Sequence, residues 1–414
     1  MVAAVLNNLP KASDKRLAVR VTPVAERAVR SGHPWLFDQG IRQLSHAGQS
    51  GDLAVVFDRK KRFMGIGLYD PKSPIRVRML HAGKPVQIDA EWFQGRIETA
   101  VSHRTSLQNT ETTGYRLVHG ANDGLEGVVI DRYDQTYVVK LYTAAWVRHL
   151  RPLLTALVDC VQPERIVLRL SRTTAQDENL LYGLENGMVL YGAPLDGPVI
   201  FQENGLRFMA DVARGQKTGF FLDQRDNRAR VEALAQGQSV LNVFAYSGGF
   251  SLYAARGGAT EAVSLDLSRP ALEMAVNNFE LNRANTAVSQ SHHELLAGDA
   301  FQELANLAEN GRLFDVVIID PPSFAHSQEQ VDRALGAYAR LVRLGLRVLH
   351  SGGTLVMASC SSRVTADRFF AMVHEMAVGE KRPLIEQERT GHAIDHPIRY
   401  KEAAYLKCLF AVAP

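Results

Sequence analysis

Residues 316–324 read V-V-I-I-D-P-P-S-F, an apolar run that ends in a carboxylate and two prolines. A second apolar run, T-L-V-M at residues 354–357, leads into A-S-C-S-S at residues 358–362. Such runs are typical of strands buried on both faces of a parallel sheet, whose carboxyl ends carry the ligand site. We therefore expect Asp320 and Cys360 to face one pocket from nearby strand ends.

Strands and helices alternate through residues 196–414, which predicts a doubly wound parallel α/β sheet. The runs S-V-L-N-V-F-A, E-A-V-S-L-D and F-D-V-V-I-I-D predict strands, and an amphipathic stretch that predicts a helix follows each of the first two. The last apolar run, A-Y-L-K-C-L-F-A-V at residues 404–412, predicts a final strand at an antiparallel edge of this sheet.

The N-terminal half has a different sequence pattern. Between residues 16 and 82, short segments with period-two alternation are broken by Gly, Pro and Asp, which predicts a small β-rich, barrel-like module. A helix from Asp89 to about Leu107 and several strands follow, before the turn-rich G-A-P-L-D-G-P stretch at residues 192–198. We predict three domains, at residues 1–85, 86–195 and 196–414.

The charge is unevenly distributed along the chain. The 414 residues carry a net charge of only +3, but residues 1–85 hold 15 Lys and Arg against 6 Asp and Glu, a balance of +9. A basic module on a near-neutral body is typical of nucleic-acid binding, although a solvated surface has the same composition. A turn within the module carries a basic cluster that we expect to contact RNA phosphates: Arg59, Lys60, Lys61 and Arg62.

Composition argues against several classes of protein. Three scattered cysteines do not make a disulfide framework, and the 13 histidines form no cluster with a cysteine, so we expect no metal. The first ten residues lack a basic region ahead of the apolar ones, unlike a signal peptide, and no apolar run approaches the ~20 residues of a membrane span. We expect a cytoplasmic protein without a membrane partner, and the sequence leaves a homodimer open.

The segment N-V-F-A-Y-S-G-G-F at residues 242–250 follows a predicted strand and opens a helix. Its glycines allow the backbone to approach a ligand closely, and the helix start offers free N–H groups. The loop lacks the third glycine of the G-x-G-x-x-G pattern that binds a pyrophosphate, so we favour S-adenosylmethionine (SAM) over a nicotinamide cofactor. We expect five residues of this loop to bind SAM: Phe244, Tyr246, Ser247, Gly248 and Gly249.

Two carboxylates further along the chain complete the expected cofactor site. Asp266 ends the next predicted strand and is positioned to accept both ribose hydroxyls. Asp299, in a G-D-A turn before a helix, is expected to hold the adenine amino group, to cap that helix, or both.

Here the sequence resembles a known family. The run G-Q-K-T-G-F-F-L-D-Q-R-D-N-R at residues 215–228, followed by the glycine loop, D-P-P-S-F and S-C-S, is similar to the bacterial large-subunit (23S) ribosomal RNA cytosine-5 methyltransferases. H-P-W-L-F at residues 33–37 and I-R-V-R at residues 75–78 resemble their PUA domain. The resemblance spans nearly the whole chain. It implies a PUA domain, a middle α+β domain and a Rossmann-like class I methyltransferase domain.

The resemblance also implies site residues in the most specific motif. They are Lys217, Thr218, Gly219, Phe221, Asp223, Gln224 and Arg225, which are expected to line the cofactor or substrate pocket. Two positions depart from the family pattern. Ser323 stands where a lysine is frequent, and His119–Asn122 stands where an acidic residue is common.

For cytosine-5 chemistry a nucleophilic cysteine is expected, because carbon-5 becomes nucleophilic only after a thiolate adds to carbon-6. Cys360 is the predicted nucleophile, although a free cysteine is often only a core residue. Asp320 would act as the acid near ring nitrogen 3. Pro321, Pro322 and Phe324 are expected to line the pocket for a flipped base, with Phe324 stacking on it.

The sequence leaves three alternative functions open. D-P-P followed by an aromatic residue also serves methyltransferases that act on amino groups of adenine or guanine, which need no thiol. A non-catalytic RNA-binding or ribosome-assembly factor with the same fold is a second alternative, and a nicotinamide oxidoreductase is a third. Cys160 and Cys408 lie in apolar patterns and are expected to be structural.

Overall fold

The computed structural model describes residues 3–325 and 327–414, which form two compact units. The first unit contains the described residues up to Gly205, together with Ala210–Leu222 and Ile394–Tyr400. The second contains Leu206–Met209, Asp223–Ala393 and Lys401–Pro414. Each unit is therefore assembled from separate stretches of chain. The division into three domains at residues 1–85, 86–195 and 196–414 stays a prediction.

The N-terminal part of the first unit is a six-stranded sheet with one helix. Its elements are β1 (Leu17–Val21), α1 (Pro23–Arg30), β2 (Trp35–Phe37), β3 (Ile41–Leu44), β4 (Leu53–Phe57), β5 (Phe63–Tyr69) and β6 (Ile75–Ala82). The strand order is β2-β6-β5-β4-β1-β3, with β1 and β4 parallel. Alternate residues of β1, Leu17, Val19 and Val21, are buried in one core with α1, as period-two alternation predicts.

The middle part of the first unit is a five-stranded sheet with helices. Its elements are α2 (Ala90–Ser102), β7 (Gly114–His119), β8 (Val128–Tyr133), β9 (Thr136–Leu141), α3 (Leu150–Val161), β10 (Arg165–Leu170), α4 (Arg172–Ala175), α5 (Glu178–Leu181) and β11 (Val189–Gly192). The strand order is β11-β10-β9-β8-β7, and β12 (Val199–Glu203) and β13 (Leu206–Ala210) follow along the chain. Helix α2 ends at Ser102, earlier than predicted, because the T-S-L-Q-N-T stretch that follows favours turns.

A buried ion pair organises this part of the first unit. Arg104 donates to both oxygens of Asp123 at 2.8 and 2.7 Å, and the two side chains are each only 1% exposed. Asp123 also accepts from the His119 backbone N–H, and Asn122 accepts from that of Arg399. The His119–Asn122 stretch, which departs from the family pattern, therefore helps to bind the Ile394–Tyr400 segment into this unit.

The second unit is built on a seven-stranded sheet. Its strands are β14 (Ser239–Val243), β15 (Glu261–Asp266), β16 (His292–Ala297), β17 (Phe314–Ile319), β18 (Leu349–Ser359), β19 (Ile385–Thr390) and β20 (Lys407–Ala413). Its helices are α6 (Arg225–Leu234), α7 (Gly249–Arg256), α8 (Arg269–Leu281), α9 (Thr286–Gln290), α10 (Ala300–Glu309), α11 (Val331–Arg347) and α12 (Ala366–Gly379). Strands β14 to β18 are parallel, which confirms the doubly wound α/β sheet. In the described part of the chain, no helix combines the length and apolarity that a membrane crossing needs.

One predicted position in this sheet is wrong. The strand order is β16-β15-β14-β17-β18-β20-β19, so β20 is antiparallel as expected but is not the edge strand. The edge is β19, whose residues are mostly exposed and which carries three charged side chains. Such a polar strand has no apolar pattern to reveal it in the sequence, and charged residues at a sheet edge discourage pairing with other chains.

A chain of polar side chains crosses the second unit beneath the loop that follows β14. Asn242 donates to Ser251 at 3.0 Å, the hydroxyls of Ser251 and Ser264 lie 2.7 Å apart, and His293 Nε2 lies 3.0 Å from Ser264. His293 stacks on Phe279 with ring centroids 3.6 Å apart. Burial lowers the pKa of His293 to about 4, so its imidazole is neutral at pH 7.

We predict that His293 makes this unit sensitive to acid. Neutral His293 contributes to the free energy of unfolding in full above the ordinary pKa of histidine, about 6.5. This contribution, up to about 3 kcal/mol, is lost as the pH falls towards 4. Hydrogen exchange of the β15 and β16 amides, corrected for intrinsic rates, measures this loss. His293→Phe should flatten the dependence between pH 6.5 and 4, whereas His350→Gln, at an exposed position, should not. Equal slopes for wild type and His293→Phe would contradict the prediction.

Candidate active site

The strand ends of the second unit bring the predicted site residues to one edge. Val243 of β14 pairs with Ile319 of β17, and Ile319 pairs with Met357 of β18. The chain therefore leaves the sheet at Phe244 after β14, at Asp320 after β17 and at Cys360 after β18. Because these strands are parallel and in register, their polar continuations meet at the same edge.

The loop between β14 and α7 has an unusual backbone. Phe244, Tyr246 and Gly248 all have positive φ, at 63°, 49° and 74°. A Cβ atom on Gly248 would lie 2.7 Å from the Cβ of Ala275 in α8, so glycine is required by packing as well as by φ. Gly249 begins α7, while Ser247 is buried and accepts from Asn278 through its backbone carbonyl. The loop is thus held tightly against α8.

Asp266 lies at the end of β15 and is partly exposed. Its Oδ2 accepts from the Tyr246 backbone N–H and its Oδ1 from that of Ser268, each at 2.8 Å. These bonds fix the carboxylate against the glycine loop and leave further acceptor positions on both oxygens. Leu267, which the sequence interpretation missed, is 75% exposed beside it. The available signal in the sequence was the apolar character of Leu267 directly after Asp266.

Asp299 is the N-cap of α10. Its Oδ1 accepts from the backbone N–H groups of Phe301 and Gln302 at 3.0 and 3.1 Å. The capping role is therefore confirmed, and the adenine contact stays a prediction.

Asp320 is oriented by a relay of side chains from α6 and the residue before it. Gln224 donates through Nε2 to Asp320 Oδ2 at 2.9 Å, and Asn227 donates to Gln224 Oε1 at 2.5 Å. Thr390 donates in turn to Asn227 Oδ1 at 2.5 Å. Gln224 and Asn227 are both buried, so this relay fixes the direction of the amide and with it the position of the carboxylate.

Asp223 and Arg225, on either side of Gln224, are also buried. Tyr405 donates its hydroxyl to Asp223 Oδ2 at 2.8 Å, and Arg225 Nε lies 3.3 Å from Asp226 Oδ1. The D-Q-R part of the motif therefore supports the edge of the sheet from within the second unit.

Cys360 follows β18 and is partly buried. Its Sγ lies 3.9 Å from the carbonyl oxygen of Pro321, which confirms that the thiol and the D-P-P loop face each other. On one side, Ser359 donates to the hydroxyl of Tyr338 at 3.0 Å, and on the other Ser361 donates to the carbonyl of Ala325 at 3.3 Å. Cys360 therefore lies between two serines whose hydroxyl groups form hydrogen bonds with Tyr338 and Ala325.

The D-P-P loop itself is partly packed. Pro321 is buried, Pro322 is exposed, and the Phe324 ring lies 5.0 Å from that of Tyr338. Ser323 donates to the carbonyl of Ala325 at 3.2 Å, a local turn contact. Burial raises the pKa of Tyr338 to about 12, and negative charge on Cys360 and Asp320 adds to the shift. Tyr338 is therefore a neutral hydroxyl beneath the site.

The other two cysteines differ from Cys360. Cys408 is fully buried in β20, and burial raises the pKa of its thiol. Cys160 lies at the end of α3 in the first unit, and burial also raises the pKa of its thiol.

One cluster outside this edge brings metal-type ligands together. Glu261, His292 and Glu294 have ligand atoms within 4.8 Å of one another. Arg312 pairs with Glu261 at 3.0 Å and with Glu294 at 2.7 Å, so a protein cation already balances these carboxylates.

The K-T-G-F-F part of the motif belongs to the first unit and is anchored on β8. Thr218 donates to Asp131 at 2.6 Å and lies 3.0 Å from the hydroxyl of Tyr133, which accepts from the Phe220 backbone N–H. Lys217 Nζ lies 4.3 Å from the ring centre of Phe221, and Gly219 has a φ of 130°. Thr218 is only 1% exposed, so its hydroxyl serves the fold of the first unit.

The predicted basic cluster forms the turn between β4 and β5. Asp58 accepts from the backbone N–H groups of Lys60 and Arg62 at 2.8 Å and pairs with the Arg62 guanidinium at 2.7 Å. Arg59 pairs with Glu26 at 3.3 Å. Lys60 and Lys61 are exposed and form no ion pair with a described residue.

Comparison with known proteins agrees with this architecture. The family model for S-adenosylmethionine-dependent methyltransferases matches residues 183–409. The chain belongs to this family. A PUA-like domain model matches residues 19–82 of the same chain. The methyltransferase has SAM as its cofactor, and its N-terminal six-stranded sheet is a PUA-like domain.

Curated relatives match the methyltransferase over nearly its full length. It is 45% identical over 406 residues to a "Ribosomal RNA large subunit methyltransferase" of Deinococcus radiodurans, covering 97% of this chain and 98% of the relative. It is 36% identical over 385 residues to a "Ribosomal RNA large subunit methyltransferase I" of Aliivibrio fischeri, covering 92% and 96%. A solved SAM-dependent methyltransferase fold from Streptococcus mutans is 22% identical with a TM-score of 0.80, covering 96% and 100%.

The residues of the second unit fit SAM. The ribose of the cofactor needs a carboxylate, and Asp266 is fixed but partly exposed. SAM carries no phosphate, and the loop over 244–249 offers a helix start without the third glycine of a pyrophosphate site. When bound, SAM would supply an electrophilic methyl group from its sulfonium.

We predict that Asp266→Asn weakens SAM binding about tenfold or more, because an amide cannot accept both hydroxyls while it holds two backbone N–H groups. Isothermal titration with the full chain measures the change. Asp332→Asn is the control, since this side chain is 90% exposed on α11. An unchanged affinity in Asp266→Asn would contradict the ribose contact.

Proposed function

We propose that this methyltransferase forms 5-methylcytosine in large-subunit ribosomal RNA, with Cys360 as the nucleophile. The observation that carries the proposal is the thiol of Cys360 beside the D-P-P loop, 3.9 Å from the Pro321 carbonyl. Amino-directed methylation does not need a thiol at this position. The two relatives named above are ribosomal RNA large subunit methyltransferases, which supports the substrate. A ribosomal RNA substrate implies a cytoplasmic enzyme.

The residues of the edge suit the steps of this reaction. The Cys360 thiolate adds to carbon-6 of the ring, and Asp320 in its protonated form gives a proton towards ring nitrogen 3. Carbon-5 would then take the methyl group from the sulfonium, which leaves as the neutral thioether. Solvent water would take the carbon-5 proton as the bond between sulfur and carbon-6 breaks to restore the thiolate, and ring nitrogen 3 would return its proton to Asp320. The Gln224 relay would hold Asp320 in place throughout.

The cofactor and base would be bound by the residues around this edge. We propose that Phe244, Tyr246 and Gly248 form the wall of the cofactor site. Asp266 would bind the ribose, and the exposed side chain of Leu267 would cover the adenine. Further contacts are proposed for Ser247, Gly249, Asp299, Asp320, Asp223 and Arg225 with the cofactor, and for Pro321, Pro322 and Phe324 with the base.

Removal of the thiol tests the mechanism. Cys360→Ala should lower methylation of ribosomal RNA by about 1000-fold or more while SAM still binds, because the substitution removes the nucleophile and leaves the cofactor residues in place. Cys160→Ala is the matched control, a partly exposed cysteine of the first unit. RNA that contains 5-fluorocytosine should form a covalent complex with wild type and not with Cys360→Ala.

Two outcomes would overturn the cytosine-5 proposal. Full methylation by Cys360→Ala would remove the need for a thiol. Mass mapping that places the methyl group on an exocyclic nitrogen would assign the enzyme to the amino-directed class instead.

We propose that the PUA-like domain contacts RNA through the turn between β4 and β5. Arg59 and Arg62 are paired with Glu26 and Asp58, so the exposed Lys60 and Lys61 would carry most of the attraction to phosphates.

Replacing both lysines tests this contact. Lys60→Ala with Lys61→Ala should reduce the slope of log affinity for RNA against log salt concentration by about 1.4–1.8, for two lost phosphate contacts. Filter binding between 50 and 300 mM salt gives the slope, and Lys381→Ala, an exposed lysine of the second unit, is the control. A slope equal to that of wild type would exclude this turn from the RNA interface.

A further inference from the structure

A buried lysine lies beside the turn that carries the proposed nucleophile. Lys407 is the first residue of β20 and is only 4% exposed. Its Nζ donates to the carbonyl oxygens of Ser361 at 2.5 Å, Val364 at 2.7 Å and Tyr405 at 3.1 Å. An ammonium group has three N–H donors, so all three are used. Two of the three acceptors belong to the turn that follows Cys360.

The position of Lys407 is fixed from the other side of Cys360 as well. In the antiparallel pairing of β18 with β20, Lys407 lies directly opposite Ser359. The lysine is therefore tied to the residue before Cys360 through the sheet and to the residue after it through its side chain. A shift of the Cys360 turn would break at least one of these connections.

The charge of Lys407 is not balanced by a carboxylate. Among the described residues, no Asp or Glu oxygen lies within 4.0 Å of Nζ, and three neutral carbonyls are its partners. A buried ammonium is costly, and a methionine of similar length would fill the same space without that cost. Burial lowers the pKa of Lys407 to about 8, while negative charge on Cys360 opposes that shift. Such an interaction is mutual, so a charged Lys407 favours the thiolate of Cys360.

We infer that Lys407 is a positioning residue that fixes the Cys360 turn and stabilises the Cys360 thiolate through its positive charge. This inference rests on the proposed role of Cys360. When the thiol ionises, its proton leaves to solvent, the sulfur keeps the electron pair, and Lys407 keeps its own proton. The same charge would favour release of the thiolate after methyl transfer.

Four titratable groups near Cys360 and Lys407 do not supply this charge: Asp320, Tyr338, Cys408 and His392. Asp320 carries no positive charge in either protonation state. Burial raises the pKa of Tyr338 to about 12 and also raises the pKa of Cys408, so both are neutral at pH 7. His392 accepts from the Leu406 backbone N–H through Nε2, which requires that nitrogen to be unprotonated, and its ring contacts Tyr405.

The rate at which Cys360 reacts with iodoacetamide, followed by peptide mass spectrometry between pH 6 and 10, tests the inference on the full chain. In Lys407→Met and Lys407→Gln the apparent pKa of Cys360 should rise by about one unit, which lowers the rate at pH 7 about tenfold and leaves the rate at high pH unchanged. Lys407→Arg should stay within about threefold of wild type, because the charge is kept.

Folding is checked separately. SAM affinity and the labelling of Cys160 should match wild type in every variant that is folded, and Lys407→Gln keeps two N–H donors for the carbonyls if Lys407→Met does not fold. A labelling profile in a folded neutral variant that coincides with wild type would overturn the inference. Labelling needs neither SAM nor RNA, so it is independent of the methylation test. Methylation by Cys360→Ala would overturn the cytosine-5 mechanism. The pKa of Cys360 measured by labelling in wild type and in the Lys407 variants would not change with that result.

Discussion

The site depends on one constraint, the common register of three parallel strands that are buried on both faces. Val243, Ile319 and Met357 are fully buried and lie side by side, so β14, β17 and β18 cannot slip without exposing apolar side chains or burying polar ones. The glycine loop, the D-P-P loop and the cysteine turn all begin where this register ends. Their mutual distances are therefore set by the core and not by the loops themselves.

Much of this second unit could be predicted from the sequence. Buried parallel strands are continuous apolar runs, and polar residues after such runs belong at the carboxyl edge of the sheet, which is how Asp320, Asp266 and Cys360 were found. The order of the strands could not be found in this way. β19 is polar and exposed, so its position outside β20 follows only from pairing between distant segments.

The contacts that orient the site residues were less predictable from the sequence, because they also join distant segments of the chain. Gln224 and Lys407 lie 96 and 47 residues from Asp320 and Cys360 in the sequence, and neither carries a local pattern that indicates what it contacts. Thr218 is a different case. It belongs to the most specific motif of the chain, yet its hydroxyl binds Asp131 and Tyr133 within the first unit. A motif identifies residues that matter, but it does not separate those that act on a ligand from those that hold the fold.

The chain passes between the two units five times, at residues 205, 209, 222, 393 and 400. A gene fragment that ended at residue 205 would lack Ala210–Leu222 and Ile394–Tyr400, which bind Asn122, Asp131 and Tyr133 of the first unit. Neither unit is thus a contiguous stretch that recombination could transfer alone. Cutting the chain at any one of these five points separates segments that fold into the same unit.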